Sequence, residues 1–250
     1  MKLGSIDVAF IYERFCDCAE RMQEAWDCSP LPLDEKDNPT VLANAMSQLV
    51  SVLSAIETPD AGEAASQIIG KSQDIHKLTE YGLQLLSDMS QSAAHLELPT
   101  DARELENLCL PLAVWSSRHG GEITLLAPVV NALAFHANHH NEPDAMQDLF
   151  ILAGEIFEAV SPSISEDTDK ADVMRPWRLL ILNRAIVATR SLNPDLMEQA
   201  FKSIVEFLPE DVDRFFEEGM EQMDIIGYPQ AVRDVMSRYY LTHAKSRVLH

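Results

Sequence analysis

Three amphipathic segments follow one another between Asn193 and Tyr240, and each opens on a proline: Pro194, Pro209 and Pro229. Proline suits the first helical position, because its missing N–H would have no intrahelical partner there and its φ is already helical. A chain punctuated this way predicts short antiparallel helices on tight joints, a row of helical hairpins. The stretch therefore implies an all-α architecture and carries no chemistry of its own.

An internal repeat extends that pattern upstream. PDAMQDLFILAGEIF from Pro143 aligns without a gap with PDLMEQAFKSIVEFL from Pro194, with identities at Pro143/Pro194, Asp144/Asp195, Met146/Met197, Phe150/Phe201 and Glu155/Glu206. The shared Pro-Asp is a helix start, a proline followed by a carboxylate on the positive end of the helix dipole. The shared Met and Phe lie four apart and present similar apolar knobs. Pro229 follows Pro194 by 35 residues, close to a helix–turn–helix repeat length. On these residues the stretch from Thr100 to His243 resembles the tetratricopeptide-like superfamily, and Phe135 to Pro143 is similar to that repeat's second-helix aromatic and terminal proline. It departs from the family at Asn131 and Asn138, which stand where small alanines belong, and no Trp-Leu-Gly-Tyr pattern opens the first helices. The phrases RHGGEI and RPWR also resemble bacterial all-helical proteins, a likeness that implies no activity. The resemblance implies a short α-solenoid of about ten stacked helices, with a segment 1–98 leading into a hairpin region 99–250 as one continuous array.

Earlier in the chain, Ile11, Phe15, Cys18, Met22 and Trp26 recur at helical spacing and predict a first helix from Ser5, which would cap it, to about Trp26. Ser29 to Pro39 reads as a loop. Leu42, Met46, Leu49, Leu53 and Ile56 make a second helix, stopping before Thr58, the cap of the next. From Pro59 to His95 the period stays helical, which predicts one long helix with Gly70 and Gly82 inside it; the alternative is a break at one of them. A fourth helix carries Leu105, Leu108, Leu112 and Trp115, is kinked by Pro111 and ends at His119-Gly120. The next holds Ile123, Leu126, Val130, Leu133 and Phe135, with Pro128 as a kink or a late start.

Charge narrows the partners. Lys+Arg 19 against Asp+Glu 40 gives a net charge of −21, which repels nucleic acid and anionic membranes. The N-terminal run is broken by Glu13, Arg14 and Asp17 and does not read as an export signal, and no apolar run approaches the roughly 20 residues of a membrane span. Four cysteines are few for a disulfide scaffold and imply free thiols in a reducing cytoplasm.

Against this acidic background, Val173 to Pro194 carries Arg175, Arg178, Arg184 and Arg190 and no acid. Either these guanidiniums pair with acids on adjacent helices, or with Trp177 they line a groove for an acidic peptide or phosphorylated ligand. Glu217, Glu221 and Asp224 share one face of the following acidic helix, a solvated strip or a surface for a basic partner, and Gly219 inside that helix marks a place where a neighbour's backbone comes close. His136 and His140, four apart on one face, can place two imidazoles on one metal, with Glu142 or Asp144 as oxygen donors. Helix-end capping is the plainer account. Cys16, Cys18 and Cys28 lack an obvious fourth ligand, and Cys18 lies on the apolar stripe, which favours core packing over zinc.

The first functional expectation is thus a non-catalytic cytoplasmic interaction module that binds a protein or peptide and needs no cofactor. The alternative is a metal- or small-molecule-binding helical protein centred on His136 and His140. A third is a homo-oligomer through the C-terminal helix, whose Met236, Tyr239 and Tyr240 would form an exposed apolar face.

Overall fold

The computed structural model describes residues 6–28, 38–57 and 72–244. They are all-α: α1 Val8–Cys28, α2 Pro39–Glu57, α3 Ser72–His95, α4 Pro99–Asn107, α5 Cys109–Arg118, α6 Ala127–His139, α7 Pro143–Ala159, the single turn α8 Pro162–Ser165, α9 Pro176–Arg190, α10 Pro194–Phe207, α11 Val212–Ile226 and α12 Gln230–Tyr239, with a π-turn at Tyr240–Ala244. The β pairing among the described residues is an isolated bridge between Ile123 and Val160. The chain divides into two compact units. The first holds Gly4–Phe135 and Glu158–Thr168, and the second His136–Phe157 and Asp169–His250. The expected boundary at 98/99 falls inside the first.

In the first unit α1 buries Ile11, Phe15, Cys18 and Met22, the stripe expected from their spacing, while Trp26 stays half-buried. Its N-terminus is capped by Asp7, whose Oδ1 accepts the Phe10 N–H at 2.6 Å. The proposed Ser5 cap, the Ser29–Pro39 loop but for its end, and Thr58 lie outside the described residues. α2 packs on α1 and α3 through Leu42, Met46, Leu49 and Leu53. At 19 residues with a mean hydropathy of 1.3, α2 is, contrary to expectation, the one helix among the described residues long and apolar enough to cross a membrane by those two measures.

α3 runs unbroken through Gly82. A Cβ there would lie 2.9 Å from both Leu49 and Leu112 side chains, so this glycine is a packing contact between helices. Whether the helix reaches back to Pro59 falls on residues not described. Pro111 ends one helix and lets another begin where a kink was expected. Proline offers no N–H to the carbonyl four residues earlier, that of Asn107, and the chain is helical to Asn107 and again from Cys109. His119 then caps α5, with Gly120 in the left-handed region at φ 76°. Pro128 is a late start, at the second position of α6. The end of α2 is tied into this unit by Glu57, whose Oε1 accepts the Trp115 indole N–H at 2.7 Å and the Val8 N–H at 3.4 Å.

In the second unit, α7 and α10 both start on their repeated prolines, and Met146, Phe150, Met197 and Phe201 are all buried. Asn193 caps α10, its side chain accepting the Asp195 N–H at 3.0 Å. Pro229 stands at the N-cap of α12. Pro209 opens a turn instead of a helix; α11 begins only at Val212, after Asp211 has returned its N–H to the Leu208 carbonyl. Phe201 packs edge-on against Phe215, Phe216 and Tyr239, which joins α10, α11 and α12. Met236 and Tyr239, expected on an exposed face, are therefore in the core, and Tyr240 is half-buried.

Candidate functional site

The arginine-rich α9 has apolar residues all round, which means that neighbours cover most of its surface. It packs against α10, and its other side faces α11 across an open cleft. Arg178 holds the two helices together where they start. Its Nε and a terminal nitrogen donate to the two oxygens of Asp211 at 2.7 and 2.5 Å, and both side chains are close to buried, at 13% and 11% exposed. Beyond that pair lies a cavity of about 680 Å³. Leu182 and Ile186, one turn apart on α9, line it together with Phe215, Met223 and Ile226 of α11 and Met236 of α12.

Gly219 gives Met236 room. A Cβ at 219 would sit 2.7 Å from both the sulfur and the terminal methyl of Met236. The neighbour that comes close at this glycine is therefore a side chain and not the backbone expected there. Apolar groups stand open to solvent along the groove: Met174 is 65% exposed, Ile186 44% and Ile226 59%. Fully burying a side chain of this size is worth about 1.5–3 kcal/mol, and that gain is not taken up by the described residues along the groove.

Most of the arginines expected in the groove serve the fold. Arg175 is buried, pairs with Glu210 at 2.5 Å and donates to the Asp172 carbonyl. Trp177 is buried too, stacked on Phe157 with ring centroids 4.9 Å apart and edge-on to Phe207. Arg184 lies 4.5 Å over the Phe150 ring and 5.2 Å over Phe157, and donates to Ser203 Oγ. Arg190 donates to the carbonyls of Ala137 and His140, closing the C-terminal end of α6 as a cation does at the negative end of a helix. Arg178 and Arg190 reach the cavity wall; Arg175, Trp177 and Arg184 do not line it.

The acids that receive Arg175 and Arg178 precede α11, and the strip of Glu217, Glu221 and Asp224 is exposed. Asp224 takes Arg233 at 2.5 Å, while Glu217 and Glu221 have no ion pair among the described residues. His136 and His140 stack with centroids 6.0 Å apart and planes 7° apart. Burial, helped by His140 and His139, pushes His136 down to about 4, so its ring is neutral at pH 7. No third ligand-type side chain joins the two among the described residues.

Such a triple does occur in the first unit, where Cys18, Asp101 and Glu104 bring their ligand atoms within 4.8 Å of one another. Two guanidiniums already serve those carboxylates. Arg21 binds Asp101 at 2.6 Å and Glu104 at 3.5 Å, and Arg14 pairs with Glu104. Burial, with the Asp101 carboxylate next, pushes the Cys18 thiol up to about 11, so it stays protonated. This is an ion-pair network around a core thiol. Cys16, Cys18, Cys28 and Cys109 are all free.

Comparison with family models, with curated proteins and with solved structures gives no match. The groove residues Met174, Leu182, Ile186, Phe215 and Ile226 escaped the sequence reading, which followed charge. The available signal was Ile225-Ile226, an apolar pair ending an otherwise acidic helix.

Proposed function

We propose that this protein is a non-catalytic, cytoplasmic interaction module that holds a segment of a protein partner in the groove between α9 and α11. The observation that carries the reading is the open apolar wall of Met174, Ile186 and Ile226 around a 680 Å³ cleft. Its charges are largely paired, which suits contact more than group transfer. The helix phasing supports a tetratricopeptide-like solenoid as the scaffold: α9 and α11 begin at residues 176 and 212, α10 and α12 at 194 and 230, so both steps are 36 residues. In such a stack the first helices of successive hairpins line one face, an extended surface for a partner.

The test is a photo-crosslinking amino acid at Ile186, with Lys202 on α10 as an exposed control outside the groove. A discrete adduct formed in cells from position 186 and not from 202 is expected. Identical patterns from both positions, or no adduct at 186, would remove the groove from consideration.

A further inference from the structure

We infer that the occupant of this groove is an amphipathic α-helix with lysine or arginine along the edge that faces α11; this rests on the reading above. The first argument is length. From Arg178 to Arg190 the α9 wall spans twelve residue steps, roughly 18 Å at 1.5 Å per residue, which matches three to four turns of a docked helix. The apolar lining starts at Met174, before α9, and the apolar surface continues past the cavity to Ile225, 75% exposed, at the end of α11. A compact small molecule would fill the cavity and leave the Ile225 end uncovered. A helix that presents apolar anchors at every turn would cover the whole line.

The second argument is the difference in charge between the two walls. α9 carries no carboxylate, and its groove-lining guanidiniums are already used, Arg178 by Asp211 and Arg190 by the α6 carbonyls. On α11, Glu218 is paired with Arg214 at 2.8 Å and Asp224 with Arg233, while Glu217 and Glu221 have no ion pair among the described residues. At 100° per residue, Glu218 lies on the groove face, Glu221 at its margin and Glu217 just beyond, all exposed. An occupant therefore meets the two carboxylates of Glu221 and Glu217 along the outer edge of α11, beside the Arg214–Glu218 pair, and a neutralised wall on the α9 side. Complementarity of this kind sets orientation and on-rate more than raw affinity.

The probe is a fluorescein-labelled 18-residue Leu–Lys amphipathic helix, with a Leu–Glu peptide of the same pattern beside it, and binding is read by fluorescence anisotropy at low and moderate salt. The Leu–Lys peptide should bind and the Leu–Glu peptide should not. Ile186→Asp should weaken binding at least tenfold and the Glu217→Gln/Glu221→Gln pair several-fold, with less salt dependence in the latter. Ile151→Asp, at an exposed site on α7, and Glu20→Gln/Glu24→Gln on α1 should leave affinity unchanged, which separates docking from adsorption to an acidic protein. All variants are at exposed positions, and circular dichroism is the check that they fold.

Binding of the Leu–Lys peptide that ignores Ile186→Asp overturns the inference. So does Ile186-dependent binding of the Leu–Glu peptide, which would leave the groove standing with an acidic partner. Stoichiometric, Ile186-dependent binding of laurate with neither peptide retained would make the site one for a small amphiphile. A dimer by light scattering that Ile186→Asp dissociates would make the occupant a second copy. A crosslink at 186 in cells without Leu–Lys binding would refute the helix class alone.

Discussion

The joint between α9 and α11 can be tested through Asp211. Asp211→Asn keeps the shape and removes the charge that receives Arg178 at 2.7 and 2.5 Å. Removing one partner of a buried ion pair costs about 3–5 kcal/mol, because the other charge is left desolvated and uncompensated. Here both side chains retain a little exposure, and Arg178 keeps a 2.7 Å bond to the Val173 carbonyl. These two facts lower the expected loss to about 2–3 kcal/mol. The double variant Arg178→Met/Asp211→Leu removes both charges at once and should return to within about 1 kcal/mol of the native protein. Urea unfolding of the cycle formed by Arg178→Met, Asp211→Leu and the double should therefore show coupling of roughly 2 kcal/mol or more. Arg214→Gln, which breaks the exposed pair with Glu218, should leave the midpoint unmoved. Additive single variants, or a loss below about 0.5 kcal/mol for Asp211→Asn, would refute the claim that this pair fastens the groove.

Gly120→Ala should destabilise by about 1 kcal/mol, a pure backbone cost, since φ is 76° and no atom lies within 4 Å of the added methyl; thermal melting measures it. His136 gives a pH signature. Its folded value of about 4 lies below the ordinary 6.5, so the unfolded chain takes up the proton first as pH falls. Its contribution is intact above pH 6.5 and is lost progressively down to about pH 4. His136→Phe should flatten that part of the stability–pH curve, and an NMR titration should find the native ring neutral at pH 5.5. Thiol labelling of the native protein should reach Cys28 fastest and Cys16 more slowly, with Cys18 and Cys109 reacting only after denaturant; burial pushes both of those buried thiols up.

Much of the architecture is legible before folding is considered. The stripe of Ile11, Phe15, Cys18 and Met22 and the proline starts at 143, 194 and 229 are local signals, and each lands where its spacing puts it. The errors are cases where two local signals compete. Pro111 reads as a kink on period alone, yet with no proline N–H for the Asn107 carbonyl the helix breaks fully at Leu108. Pro209 resembles the other helix-opening prolines, but it opens a turn that brings Glu210 and Asp211 back to Arg175 and Arg178. Met236 and Tyr239 seem exposed only until Phe201 and Phe216 are placed against Tyr239.

By itself, then, the sequence determined that the chain is helical, where most helices begin, and that an acid-free, arginine-rich helix precedes an acidic one. Those properties depend on neighbours within a few residues. Tertiary structure alone decided what the charges do and where the open surface lies. A guanidinium has the same sequence signature whether it faces a ligand or a carboxylate 33 residues away, and Arg178 faces Asp211. An isoleucine is equally apolar in a core or on a wall, and only the gap left between α9 and α11 makes Ile186 and Ile226 the lining of a cleft.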